Sequence, residues 1–270
     1  MQTPQPIYVI GDVHGHLKKL VKLLQDAQLV GDHLSWRADN AILWFIGDLV
    51  DRGPDSIAVL DLVMRLQAEA AIAGGQVACL LGNHELLLLA AYRFGRRSTG
   101  LGSNFISRWR QNGGVRKDLA KLTSQHVAWL AQLPAMACVG HRLFLHADAP
   151  FYLRYGRSLE EVNTAISALL GKSDALAWEE LIENFARRGA FASGEGGEAL
   201  ARRFLESYGG QQLVHGHTPI SLLIRSSPKS ITTPLMYASE QCINVDGGMF
   251  LGGPGFIYQL PRDAADAPSG

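Results

Sequence analysis

An excess of charge of either sign is the first thing this sequence lacks. Its 270 residues carry 25 Lys and Arg against 25 Asp and Glu, a net charge of +0. A protein that coats a polyanion needs a basic surplus to neutralise phosphates, so general nucleic-acid binding is not expected. Charged residues are also few, 19% of the chain beside 47% hydrophobic, where soluble domains average roughly 25% charged. That balance describes a thick core with buried strands. Cysteine is sparse. Cys79, Cys138 and Cys242 stand far apart and form no CxxC pair, which argues against a disulfide framework and makes a reducing cytoplasm the expected location. The longest apolar runs, such as 41–46 and 86–91, fall well short of the ~20 residues of a membrane span. Residues 1–6 have neither the charged lead nor the apolar stretch of a secretory signal, so no membrane contact is expected. There is no repeat of fixed period and no interdomain linker. The chain reads as one domain over 1–260, followed by a frayed, polar, Pro- and Ala-rich tail at 261–270.

What is present is a series of short apolar runs, each closed by glycine, aspartate or histidine. Ile7-Tyr8-Val9-Ile10 runs into Gly11-Asp12-Val13-His14, residues 41–46 into Gly47-Asp48, and residues 77–81 into Gly82-Asn83-His84. Leu143-Phe144-Leu145 precedes His146, and Gln212-Leu213-Val214 precedes His215-Gly216-His217. Such runs read as strands buried on both faces. Between them come helical spacings: Leu17, Leu20, Val21 and Leu24, then Ile57, Leu60, Val63, Met64 and Leu66 behind an N-cap signal at Pro54-Asp55-Ser56. Residues 98–133 read as helical, with Trp109, Asn112, Gly113 and Gly114 marking a break. Residues 158–208 read as a second helical insertion, interrupted by a flexible loop at 193–197. Strand, loop, helix, strand is the rhythm of an α/β sheet, whose ligands gather beyond the carboxyl ends of the strands.

Six residues at those ends share one chemistry. Asp12, His14, Asp48, Asn83, His146 and His217 offer carboxylate, imidazole and amide donors with no thiolate, a set suited to Mn, Fe or Zn. Asp12 and His14, two apart, point to the same side of an extended chain. Each residue alone reads as a cap, a turn aspartate or a core histidine. Six in order at successive strand ends exceed one catalytic ion's needs, and suit two ions some ~3.5–4 Å apart that share a bridging carboxylate. Gly11, Gly47 and Gly82 precede three of them, where the chain must turn tightly.

Gly11-Asp12-Val13-His14-Gly15, residues 47–53 and Gly82-Asn83-His84-Glu85 resemble the linked signatures of the calcineurin-like metallophosphoesterases. Within these, they are similar to the phosphoprotein phosphatase branch, which includes bacteriophage lambda phosphatase and the symmetrical diadenosine tetraphosphate hydrolases. His146-Ala147-Asp148 and Gly216-His217-Thr218-Pro219 match the later motifs, so the resemblance runs from residue 7 to about 253. It implies a four-layer αββα sandwich with helical insertions and a dinuclear centre at the sheet edge. It assigns Asp12, His14 and Asp48 to one ion, and Asp48, Asn83, His146 and His217 to the other. It makes His84 the catalytic histidine, Asp51 its orienting partner and Arg52 a phosphate-binding arginine. Physics is consistent with those roles. Two divalent ions against two aspartates leave a local positive charge that draws in phosphate, and they acidify a bridging water to hydroxide near neutral pH. His84 can protonate the leaving oxygen while Asp51 fixes its tautomer, and Arg52 offers a planar fork to phosphoryl oxygens. His215, just outside the Gly-His-Thr-Pro motif, reads as structural.

The resemblance implies a metal-dependent phosphomonoesterase, in one reading a serine/threonine protein phosphatase, with two divalent ions, Mn first and Fe or Zn as alternatives. Its partner is a phosphorylated substrate, phosphoprotein or nucleotide. Leu81 stands where the protein phosphatases usually carry arginine, and is more like the diadenosine tetraphosphate hydrolases. Glu85 and the 146–150 segment lie closer to lambda phosphatase. Hydrolysis of a nucleotide polyphosphate is therefore the second reading, and a non-catalytic metal-binding scaffold the third. A further phosphate arginine is expected among Arg154, Arg157, Arg187 and Arg188, and the insertions at 98–133 and 158–208 are expected to shape substrate access.

Overall fold

A computed structural model describes residues 5–98 and 103–261. The apolar runs become β1 (Ile7–Ile10), β2 (Ile42–Phe45), β3 (Gln76–Cys79), β5 (Arg142–Leu145) and β6 (Gln212–His215). Four more strands were not apparent from the pattern: β4 (Met136–Val139), β7 (Leu235–Tyr237), β8 (Cys242–Asn244) and β9 (Ile257–Gln259). They form two sheets, ordered β3-β2-β1-β9 and β4-β5-β6-β8-β7. The strands β1, β2 and β3 are parallel, as are β5, β6 and β8, while β9, β4 and β7 add antiparallel edges.

Strand alternation builds two cores from each run. Leu43 and Phe45 face outward with Ile10, Leu143, Leu145 and Leu213, whereas Trp44 and Ile46 face inward with Val9, Phe144 and Val214. The inner set glues sheet to sheet, with the Trp44 and Phe144 rings edge to face at 5.4 Å. The outer set is covered by helices. Helix α2 (Ser56–Ile72) lies against β3, and α7 (Leu159–Gly171) and α9 (Gly194–Tyr208) lie against β4 and β6. Helix, sheet, sheet, helix is the expected αββα order. A residue buried on either face explains why these runs are apolar throughout rather than alternating.

The helical periodicity after the first loop becomes α1 (Leu17–Asp26), which buries Leu20 and Leu24. The expected break at 112–114 separates α4 (Phe105–Gln111) from α5 (Arg116–Lys121), ahead of α6 (Ser124–Leu130). In the second insertion α7 is followed by α8 (Ala175–Phe185) and α9. The segment at 193–197 is not a flexible loop. It opens α9, and its buried Gly197 has to lack a side chain, because a Cβ there would stand 2.5 Å from the Phe191 carbonyl oxygen. The expected tail at 261–270 lies, beyond Pro261, outside the described residues. Among the described residues no helix is long and apolar enough to cross a membrane.

Candidate metal and phosphate site

Five parallel-strand ends converge on one edge of the sandwich. The loop after β1 supplies Asp12 and His14, the loop after β2 supplies Asp48, Asp51 and Arg52, and helix α3 (Asn83–Phe94) after β3 begins with Asn83 and His84. The ends of β5 and β6 add His146 and His217. All eight of these other than Arg52 are buried, and Arg52 is half-buried. Asp12 and His14 meet across a turn rather than along an extended strand, since His14 has φ 47. Asp48, Asp51, Arg52 and His217 are left-handed as well. Such backbones cost ~1–3 kcal/mol each, and here the loops lock one another: the amides of Val13 and His14 both donate to the Asp48 carbonyl, and Gly15 donates to that of Leu49.

Asp48 stands at the centre with its two oxygens facing different neighbours. Oδ2 is 3.6 Å from His14 Nε2 and 4.0 Å from His84 Nε2. Oδ1 is 3.3 Å from His146 Nε2 and accepts the His84 backbone N–H at 2.9 Å. Asp12 Oδ2 lies 3.7 Å from His14 Nε2, and Asp12 Oδ1 accepts the His217 amide at 3.0 Å. Asn83 Oδ1 is 3.0 Å from His146 Nε2. The outer ring nitrogens are spoken for: His14 Nδ1 donates to the Val50 carbonyl at 3.0 Å and His146 Nδ1 to that of Ile46 at 2.7 Å. Both Nε2 atoms therefore turn inward, as a second hydrogen bond commonly arranges for a ligating histidine.

Two compact donor groups result, His14 with Asp48 and His84, and Asp48 with His146 and His217, each with its donor atoms within 4.8 Å of one another. Charge accounts for why cations fit. Asp12 is raised well above the ordinary carboxylate range by burial and then by the neighbouring Asp246 and Asp48. Burial pushes Asp48 the same way, but His146 and His84 outweigh it and hold it well below. His14 and His217 are lowered by burial and by neighbouring histidines, so both are neutral and able to bind a metal. His146 is buried too, yet attraction to Asp48 raises it to about 10. Crowded, buried carboxylates beside neutral imidazoles, with no thiolate, match hard or borderline divalent ions.

On the far side, His84 Nδ1 bonds Asp51 Oδ2 at 2.8 Å, while His84 Nε2 is buried without a hydrogen-bond partner. Arg52 Nη1 donates to His14 Nε2 at 2.9 Å, and its guanidinium lies 4.0 Å from the Phe250 ring centroid.

The roles of several neighbours went unread in the sequence. Glu85 closes the Gly-Asn-His-Glu motif, and its carboxylate accepts the amides of Asp48 and Leu49, each at 2.8 Å, and of Gly82 at 2.9 Å. Burial and Asp48 push it up to about 7. Gly82 has to be glycine here, because a Cβ would sit 2.3 Å from Asp48 Oδ1. Trp109, on α4, donates its indole N–H to Asp51 Oδ1 at 2.7 Å. Asp148 accepts from Thr218 Oγ1 and the Gly189 amide, each at 2.8 Å, tying the two later motifs together. Asp246, after β8, is buried with Oδ2 unpartnered. A strand-then-Asp-Gly signal could have found it, but β8 is only three residues long. His215 faces away from the donor cluster, hydrogen-bonded to Tyr237 Oη at 2.7 Å. Leu81 is fully buried in the outer core and presents nothing polar. Of the four arginines considered, Arg188 lies near enough to His217 for its charge to be felt there, while Arg154 is engaged by Asn184 and Glu180.

A paired-sheet αββα sandwich that gathers oxygen and nitrogen donors at its strand ends is the architecture of the metallophosphoesterases. Residues 5–221 match the model of the calcineurin-like phosphoesterase family, and the chain belongs to that family. It is similar to the symmetrical bis(5'-nucleosyl)-tetraphosphatase of Bordetella pertussis, 42% identical over 86 residues, covering 32% of this chain and 26% of that one. It is also similar to Shewanella-like protein phosphatase 1 of Plasmodium berghei, 36% identical over 86 residues, covering 32% and 24%. The matched part thus spans about a quarter of the length of these relatives. In fold it resembles a cold-active protein-tyrosine phosphatase of a psychrophilic Shewanella, with TM-score 0.72 and 20% identity over 96% of this chain and 76% of that one. It also resembles in fold a structure described as a putative diadenosine tetraphosphatase, with TM-score 0.53 and 17% identity over 97% of this chain and 96% of that one.

Proposed function

We propose that this chain is a metal-dependent phosphoesterase hydrolysing phosphomonoesters, with a phosphoserine or phosphothreonine protein as substrate. The observation that carries this reading is His84. Its ring is held by Asp51 through Nδ1, and its Nε2 is buried and unpartnered beside Asp48. A structural histidine would have both nitrogens satisfied, whereas a proton donor needs one aimed at the reacting atoms.

Asp12, His14 and Asp48 would hold one divalent ion, and Asp48, Asn83, His146 and His217 the second, with Mn our first choice and Fe or Zn as alternatives. When bound, the ions supply Lewis acidity to the phosphoryl oxygens and acidify the attacking water. The rest falls to the chain's own groups. His84, carrying a proton on each ring nitrogen, would give the Nε2 proton to the leaving oxygen, while Asp51 accepts from Nδ1–H and so orients the ring and balances its charge. Arg52 binds and orients the phosphoryl group, with Phe250 supporting its guanidinium. Arg188, beside His217, is the second phosphate arginine. We read 1–260 as one domain and place it in the cytoplasm, in keeping with three free cysteines.

Leu81 favours a second reading. With an apolar core residue in place of an arginine, the site has one fewer fork for a compact dianion, and a nucleotide polyphosphate becomes the alternative substrate. Metal-stripped protein restored with Mn²⁺ should release phosphate from a phosphothreonine peptide faster than it hydrolyses diadenosine tetraphosphate. The reverse preference would transfer the chain to the second reading, and inactivity on both across a broad pH range would leave a non-catalytic metal scaffold.

Two substitutions probe the positioning of these groups. Arg52→Ala should raise KM or weaken phosphate inhibition while metal content stays at the wild-type value; unchanged kinetics would remove Arg52 from the site. Trp109→Phe deletes the donor to Asp51 Oδ1. A hydrogen bond to a charged group is worth ~1.5–3 kcal/mol, so kcat should fall about tenfold or more, with a displaced pH profile and intact metals. Wild-type kcat and pH profile would show that Asp51 holds His84 without the indole.

A further inference from the structure

The chain is neutral as a whole, but its charge is not evenly spread. Residues 93–121 hold eight of its 25 Lys and Arg and one of its 25 Asp and Glu. The single acid, Asp118, is buried and hydrogen-bonded to Ser56. Two of the cations are committed: Arg93 donates to the carbonyls of Leu170 and Lys172, and Arg108 pairs with Glu179 and Glu183. The other six, Arg96, Arg97, Arg110, Arg116, Lys117 and Lys121, are exposed and make no ion pair among the described residues. Three of them, Arg96, Arg110 and Arg116, line a cavity of about 450 Å³ with Asn104 and Ser107, and no carboxylate lines it among the described residues.

We propose that this cavity and the basic strip leading from it along α5 form a docking site for an acidic segment of a protein partner. Three observations select that occupant. First, unpaired guanidinium groups around an open cavity ask for anions, and none of the described lining residues supplies one. Second, the cations do not stop at the cavity. Lys117 and Lys121, one helical turn apart, continue them along α5, which suits an extended chain carrying several carboxylates better than one compact anion. Third, the aromatic ring in the lining, Trp109, is fully buried and offers no stacking face, the feature that usually accompanies single-stranded nucleic-acid grooves. Outside 93–121 the chain carries seventeen Lys and Arg against twenty-four Asp and Glu, so a long polyanion reaching beyond the strip would meet repulsion. The strip is distinct from the donor cluster, but Trp109 is a wall common to both, through its bond to Asp51.

The test is fluorescence anisotropy of a labelled Glu-rich peptide, free of phosphate, titrated with the full chain at low salt. Binding should weaken steeply as salt rises. The variant Arg96→Glu/Arg110→Glu/Arg116→Glu should bind at least about tenfold more weakly, since three exposed pairs are lost and three repulsions gained. Its hydrolysis of a small phosphate ester should match wild type. A second triple variant, Arg202→Glu/Arg203→Glu/Arg225→Glu, changes net charge equally at exposed positions elsewhere and should keep peptide affinity. Equal loss in both variants, or none in either, would overturn the proposal. So would tighter binding of a single-stranded DNA oligomer of matched charge, which would make the strip a nucleic-acid surface. Should the first variant lose ester hydrolysis too, Lys117→Glu/Lys121→Glu gives the reading instead: loss of peptide affinity there supports the site, and retention removes it.

Discussion

Asp48→Asn should lose metal and activity together, the largest effect expected from any single substitution in this chain. The exchange preserves size, and an amide oxygen can still accept the His84 amide now bonded to Oδ1. It removes the one negative charge that both donor groups share. Even partners that touch a metal only through its ligands change affinity by about 10–100-fold, so removal of a carboxylate proposed to serve both ions should exceed that range. A second readout separates charge from mere disruption. In the metal-free chain His146 keeps a proton up to about pH 10 because attraction to Asp48 outweighs burial. An ion binding there must displace that proton, so apparent affinity should climb as pH rises toward that value. Without the Asp48 charge, burial is opposed by Asp12 and the bond to the Ile46 carbonyl but no longer by its strongest counterweight, and the His146 pKa falls. The climb should then move to lower pH. Metal analysis and a pH series of metal titrations check both. A variant that retained two ions per chain would show that Asp48 is not the shared ligand.

His84→Asn should leave the ions in place while activity falls by about two to four decades, the usual contribution of a general acid. The leaving group makes this specific. An alkyl phosphate releases a basic alkoxide that needs a proton, whereas p-nitrophenolate departs without one. The loss should therefore be large for a phosphothreonine peptide and far smaller for p-nitrophenyl phosphate. Equal losses on the two substrates would make His84 an electrostatic neighbour of the phosphate rather than its proton donor, and full activity on both would remove it from the mechanism.

How much of this was legible without coordinates follows from how each residue acts. The runs behind β1, β2, β3, β5 and β6 could be read because burial on both faces leaves a continuous apolar signature. The edge strands β7 and β9 are three residues each and only partly buried, so no periodicity can develop in them. Asp12, His14, Asp48, Asn83, His146 and His217 stood out because each follows a strand end, where an α/β sheet collects its ligands. Glu85 was visible as a letter of a motif, but its work is to accept three backbone amides, and backbone groups carry no sequence signal. Trp109 could be seen to mark a break, yet its partner Asp51 is 58 positions away. The loop expected at 193–197 failed for a related reason: glycines that signal flexibility in isolation also permit close packing, and Gly197 serves the packing.

The indole of Trp109 gives the first insertion a place in the chemistry. Its helix looks like an ornament on the sandwich, the kind of surface segment that can be exchanged between relatives to retarget a scaffold. Exchanging it here would also exchange the donor that holds Asp51, and with it the support of the group proposed to orient His84. On the proposed reading, recognition and proton transfer would be inherited as one piece. A chimera that imports a foreign insertion should be judged first by whether it brings an equivalent N–H, and only then by what it binds.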